Sequence, residues 1–188
     1  LRMPGAVDGA EAALRAVLGQ QVSVAAARAA AAEIALRHGD PLAAGIDGLA
    51  LRFPRPETLA GVDPSSLPLP RTRAETLVRL AGLLASGDIA LGPGADREEA
   101  GARLLAVPGV GPWTVASIRG RALGDPDAFP PTDLGVRRAL QRLGGPGDVR
   151  SVRELSQGWR PWRSYALHHL WASSPPPEPA GHDQEVPA

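Results

Sequence analysis

Two short segments hold the residue types that could do chemistry. Leu104-Leu-Ala-Val-Pro-Gly-Val-Gly-Pro-Trp-Thr-Val115 sets glycines and prolines between two helical stretches, and Asp127-Ala-Phe-Pro-Pro-Thr-Asp133 ends on a single carboxylate. Pro108 and Gly109 stop the first helix and Val110 turns into the core. Gly111-Pro112 then restarts a helix whose first amides have no intrahelical partner. Such amides, at the positive end of a helix, can hold a phosphate without reading sequence. Asp133 follows Trp113 by some twenty residues and opens the next helix, so its carboxylate is expected on the hairpin's side. Each part also has a plainer use: Pro-Gly-Val-Gly joins helices in many proteins, and Asp is a favoured N-cap. Their combination at this spacing, with Trp113 directly behind the hairpin, points to a site.

The elements that must position these groups read as helices, and no strand alternation persists. Leu14, Val17 and Leu18 form one stripe over Glu11 to Leu18, and Ser23 can cap an alanine-rich helix running to about His38. Gly39 to Pro56 reads as a loop rich in proline and glycine, and Asp63-Pro-Ser-Ser as a short turn. Leu77, Leu80 and Leu84 mark a helix from Arg71 to Ala85. Asp96 to Leu105 enters the hairpin, Trp113 to Leu123 leaves it, Asp133 to Leu143 follows, and two more helices start near Val149 and Pro161. The expected class is all-α, a two-lobe helical bundle over residues 1–173 with a cleft between the lobes. Residues 174–188, rich in Ser, Pro and Glu, are expected to be disordered.

Composition narrows the possibilities. The 188 residues suffice for one well-cored domain or two small lobes, and the lack of cysteine excludes disulfides, zinc-cysteine sites and cysteine-bound iron-sulfur clusters. The formal charge is zero, but the tail from Ser173 onward is acidic and leaves 20 arginines against 17 acidic residues before it. Arg119/Arg121, Arg137/Arg138/Arg142 and Arg150/Arg153 lie near the hairpin and the carboxylate in sequence, where a local patch could serve phosphates. Every cationic side chain is arginine; there is no lysine. No apolar run approaches a membrane span, so a soluble cytoplasmic protein is expected, and the arginine- and alanine-rich, lysine-free composition suits a bacterial genome of high GC content. A start at Leu1 suggests one domain of something longer.

The hairpin and Asp133 together resemble the helix-hairpin-helix superfamily of DNA glycosylases. Leu18-Gly-Gln-Gln-Val-Ser23 and Trp159-Arg-Pro-Trp-Arg-Ser-Tyr-Ala166 through Trp171 are similar to segments of its alkylation-repair branch, the 3-methyladenine DNA glycosylase II enzymes. The resemblance covers roughly residues 5 to 172. It implies a monofunctional enzyme that flips an alkylated purine out of duplex DNA and hydrolyses its N-glycosidic bond, with no organic cofactor. By the same resemblance Asp133 is the catalytic carboxylate, and Trp113 and Trp171 are the base-stacking walls. At a helix N-terminus with Arg137 one turn on, Asp133 is expected to stay ionised at neutral pH. Gln20 and Gln21 match the wedge that fills the gap left by the base, and Gly109, Val110, Gly111 and Thr114 the DNA contacts. The carbonyls of Val107 and Val110 match a monovalent cation site. Trp159, Trp162 and Tyr165 are expected in the core, and His168 and His169 as packing or surface groups. The pattern departs from the family in its pocket, where Ser117, Leu134 and Ala172 stand in place of further aromatics. A non-catalytic helix-hairpin-helix module for DNA binding or damage sensing within a larger regulator is the alternative. The carboxylate and Trp113 argue against it.

Overall fold

The computed structural model describes residues 3–46 and 49–173. In chain order the elements are α1 (Gly9–Leu18), α2 (Val24–His38), β1 (Asp40–Ile46), β2 (Leu49–Arg52), α3 (Pro56–Ala60), α4 (Arg71–Ala85), α5 (Arg97–Leu105), α6 (Pro112–Ala122), α7 (Leu134–Arg142), α8 (Val149–Ser156) and α9 (Arg163–Ala172). Asp8, Ser23, Asp96, Asp133 and Asp148 each accept first-turn amides, which fixes where α1, α2, α5, α7 and α8 begin. Asp63 caps a single 3-10 turn, Pro64–Ser66, in the same way.

The loop expected over Gly39 to Pro56 is in fact a two-stranded antiparallel sheet followed by the start of α3. Asp40 pairs with Arg52, Pro41 with Leu51 and Ile46 with Leu49. Neither strand is rich in β-branched residues, and a proline sits in the first, so no local pattern announces them. Helix α3 has five residues, too few for a period to be visible. The acidic tail lies outside the described residues.

Apolar burial divides between two clusters. The larger gathers Leu14, Val17, Leu77, Leu80 and Leu104 with Val107 and Val110 of the hairpin; the smaller gathers Phe129, Val136, Leu140, Val152, Leu167 and Leu170. Helix α6 packs on α1 and α5 and commits Ile118 to the larger cluster, while α7 packs on α9 in the smaller one. The segment from Asp125 to Phe129 crosses between them and is fastened by charge at Asp125 and Asp127. Arg119 of α6 donates through Nε to Asp125 at 2.8 Å. From α9, Arg163 makes a two-point bond to Asp127 at 2.7 and 2.8 Å, and the Ser164 hydroxyl donates to the carbonyls of Asp125 and Ala128.

Burial pushes the Asp127 carboxyl up, but the Arg163 hydrogen bonds and the charges of Arg163 and Arg160 outweigh it, so its pKa lies below the ordinary carboxylate value. The unfolded chain therefore holds this proton more tightly than the native one. The stability is complete above the ordinary carboxylate pKa of about 3.9 and is lost as pH falls through the depressed native value. Asp127→Asn should cost about 1.5–3 kcal/mol at neutral pH. In thermal melts its difference from wild type should shrink towards zero on acidification; a pH-independent difference would contradict the charge-clamp account.

Candidate active site

The hairpin is built to be rigid. Val110 donates its amide to the Val107 carbonyl at 2.9 Å, and both side chains are buried in the larger core. Gly109 has a φ of +87°, and a Cβ there would lie 2.1 Å from the Thr76 hydroxyl, which itself donates towards the Pro108 carbonyl. Only glycine fits. Gly111 differs: its φ of −101° suits any residue, and a Cβ would meet nothing within 4 Å. No side chain caps α6, so Trp113 and Thr114 of its first turn present backbone amides at the hairpin.

Asp133 stands at the start of α7 behind the turn of Pro130, whose carbonyl accepts the Asp133 amide. Its side chain is 9% exposed, and donors from three helices reach it. Oδ1 accepts the Val136 amide at 2.8 Å and the Trp171 indole N–H at 3.1 Å; Oδ2 accepts the Trp113 indole N–H at 2.7 Å. Because an indole N–H lies in the ring plane, the carboxylate touches each ring at its edge and does not itself cover a ring face. His168 meets Trp171 with nearly perpendicular ring planes, 5.2 Å between centroids. Burial, then the charge of Arg121, lowers the His168 pKa.

The structure thus brings Asp133, Trp113 and Trp171 into one cluster and corrects several other expectations. Arg137 does not support the carboxylate: its Nε donates to the Gly147 carbonyl at 2.6 Å. Arg119 is taken up by Glu98 and Asp125 and does not form a patch with Arg121. Gln20 is no free wedge, since its amide donates to the Gly109 carbonyl and the Thr114 hydroxyl, each at 2.9 Å. Gln21 is exposed in the left-handed region at φ +54°. Thr114 is 2% exposed and Val110 5% exposed, so both offer backbone alone. Trp159 packs against the smaller core as expected, but Trp162 is 58% exposed. It precedes α9 at the cap, where helical spacing does not govern direction. Leu134 is exposed immediately beside the carboxylate, and the Ser117 hydroxyl donates to the Trp113 carbonyl. Among the described residues no group of His, Cys, Asp or Glu is placed to hold a metal ion, and no helix is long and apolar enough to cross a membrane.

A family model described as HhH-GPD superfamily base excision DNA repair protein matches residues 14–163, a span that contains the hairpin, Trp113 and Asp133. The chain belongs to the HhH-GPD superfamily. Within it, 172 residues are 46% identical to a Mycobacterium tuberculosis protein named probable bifunctional transcriptional activator/DNA repair enzyme AlkA, covering 92% of this chain and 35% of that protein. The Escherichia coli DNA-3-methyladenine glycosylase 2 is 37% identical over 174 residues, 91% of this chain and 60% of the relative. The chain therefore spans about a third to three fifths of the length of these curated relatives. Among solved structures, the 3-methyladenine DNA glycosylase of Archaeoglobus fulgidus superposes with a TM-score of 0.76 at 29% identity, over 90% of this chain and 59% of that one. The Schizosaccharomyces pombe 3-methyladenine DNA glycosylase in complex with abasic DNA gives 0.70 at 26% identity, over 91% and 82%.

The two glycines of this HhH-GPD hairpin should respond differently to alanine. Gly109→Ala meets both a disfavoured φ and the Thr76 hydroxyl and should lose about 2–4 kcal/mol of stability. Gly111→Ala should stay within about 0.5 kcal/mol of wild type. Chemical denaturation measures both, and equal losses would contradict the contrast between the two positions.

Proposed function

We propose that this chain is a monofunctional DNA glycosylase that hydrolyses the N-glycosidic bond of alkylated purines, such as 3-methyladenine and 7-methylguanine, in duplex DNA. One observation carries the reading: the buried Asp133 carboxylate is held by two indole N–H groups, close behind a hairpin whose helix begins uncapped. The names of the relatives support the substrate class.

The geometry supports a role for each of these groups. A DNA phosphate lies against the Gly111, Trp113 and Thr114 amides, and the empty space at Gly111 gives it room. Gln21 fills the helix where the base has left. The alkylated base, a cation, stacks on the indole faces, which favour a cation by about 0.5–2 kcal/mol. As the C1′–N bond breaks, its electron pair leaves with the base, which becomes neutral. Positive charge gathers on the sugar, where the Asp133 carboxylate stabilises it and directs water to C1′; the water's surplus proton passes to Asp133 and then to solvent. Departure of a neutralised base needs no strong general acid. The Val107 and Val110 carbonyls are the groups that would hold a monovalent cation. Val107 already accepts one amide, so its second lone pair is what remains for that ion.

The test is release of free methylated base from methylated duplex DNA. Asp133→Asn should retain duplex binding and slow release by about 10²–10³-fold or more, the range for removing one preorganised electrostatic stabiliser. Undiminished release by this variant would falsify the catalytic assignment. The alternative of a binding module in a larger regulator is favoured by one observation. The most identical relative described above is named in part a transcriptional activator, and the chain spans 35% of it. A folded wild-type chain that binds methylated duplex and releases no base would select that reading.

The missing lysine gives a second test. Strand cleavage through a Schiff base needs a neutral amine, and arginine stays protonated. The product should be an intact abasic site. Borohydride added during turnover should trap no covalent adduct with a side chain of this sequence, and strand breaks formed before heat or alkali would contradict the hydrolytic reading.

A further inference from the structure

The loop between α1 and α2 and the hairpin are 89 residues apart in sequence, yet one side chain joins them. Gln20 Nε2 has two hydrogens and two acceptors: the Gly109 carbonyl at the hairpin's bend and the Thr114 hydroxyl in the first turn of α6, each at 2.9 Å. Thr114 is buried and stands next to Trp113, whose indole N–H holds Asp133. On the loop side, the amides of Gly19 and Gln20 are bonded back to the carbonyls of Arg15 and Val17. Gln20 is thus fixed at its backbone by α1 and at its amide by the hairpin. The next residue, Gln21, is exposed and left-handed at φ +54°, a conformation that a side-chain-bearing residue keeps only when its neighbours hold it there.

We propose that Gln20 is a positioning residue that ties the loop to the hairpin, so that the Gln21 tip sits at a fixed offset from the phosphate-holding amides. The role rests on the glycosylase reading above. With the tie in place, anchoring a phosphate at Gly111 already sets which step of the duplex the tip meets. Without it the loop must be ordered on DNA at its own cost in entropy. The tie also needs a donor. An apolar group of similar size would leave the buried Thr114 hydroxyl and the Gly109 carbonyl without a donor from the loop.

The experiment compares binding to an undamaged duplex and to one carrying a tetrahydrofuran abasic analogue beside a 2-aminopurine. Wild type should prefer the abasic duplex and change the fluorescence of the neighbouring base. Gln20→Leu should lose about tenfold of that preference, and most of the fluorescence change, while binding undamaged duplex about as well as wild type. Gln21→Ala should lose a comparable amount, and the double variant no more than either single one, because an untied tip has nothing left to contribute. Gln20→Met, matched in length and with no hydrogen to donate, should repeat the Gln20→Leu pattern and decides the matter if the leucine variant does not fold. Additive losses, or wild-type preference in either Gln20 variant, would overturn the tie. A wild-type chain with no preference for the abasic duplex would overturn the base-flipping reading itself, and the tie's role with it.

Discussion

A carboxylate removed from water must be met by donors, and Asp133 is met by three. An unsatisfied ion in such a place costs several kcal/mol, while each hydrogen bond to a charged group returns about 1.5–3. That requirement organises the molecule. The donors come from α6, α7 and α9, and α6 belongs to the larger apolar cluster while the other two belong to the smaller one. Each cluster could bury its own leucines and valines without reference to the other. The shared carboxylate makes their relative placement matter, because Trp113 and Trp171 approach opposite oxygens of one side chain from the two sides.

The polar strap from Asp125 to Phe129 serves the same end by other means. Apolar packing is not directional and would leave this crossing free to slide, whereas Arg119 and Arg163 fix two of its carboxylates in distance and angle. Ser164 then occupies the carbonyls on either side. Asp133 lies six residues beyond the second clamp, separated from it by Ala128, Phe129 and a rigid Pro-Pro-Thr. The carboxylate is thus delivered by a chain segment with little conformational freedom left.

Much of this was legible in the residues. Ser23, Asp96 and Asp133 announce helix starts through local capping chemistry, and the leucine period marks α4. Val110 as an inward-turning apolar residue between two glycines could also be read locally. What escaped was decided by contacts remote in sequence. The amide of Gln20 could have served a wedge or a turn, and only the approach of Gly109 and Thr114 settles its use. Arg137 lies one turn from Asp133 but is drawn to the Gly147 carbonyl, and Trp162 lies outside the helix whose period was used to place it. Pattern reading assigns elements; it does not choose among several partners within reach of a long polar side chain.

The same consideration resolves the neutral formal charge. Twenty arginines suggest cationic surface to spare, but several are engaged by partners within the chain. Arg119 sits on the buried Asp125 and Arg163 on the half-buried Asp127, and Arg97, Arg103 and Arg137 each reach a backbone carbonyl. Such arginines hold structure and are poorly placed to follow a DNA backbone. Under the proposed function, attraction to phosphate must then rest more on oriented amides than on net charge. Amides at a helix start carry only a partial charge and act within a turn of the helix end, so they hold a phosphate well only where backbone can come close. Gly111 leaves that space open, and Gly109, pressed against Thr76, keeps the bend that presents it.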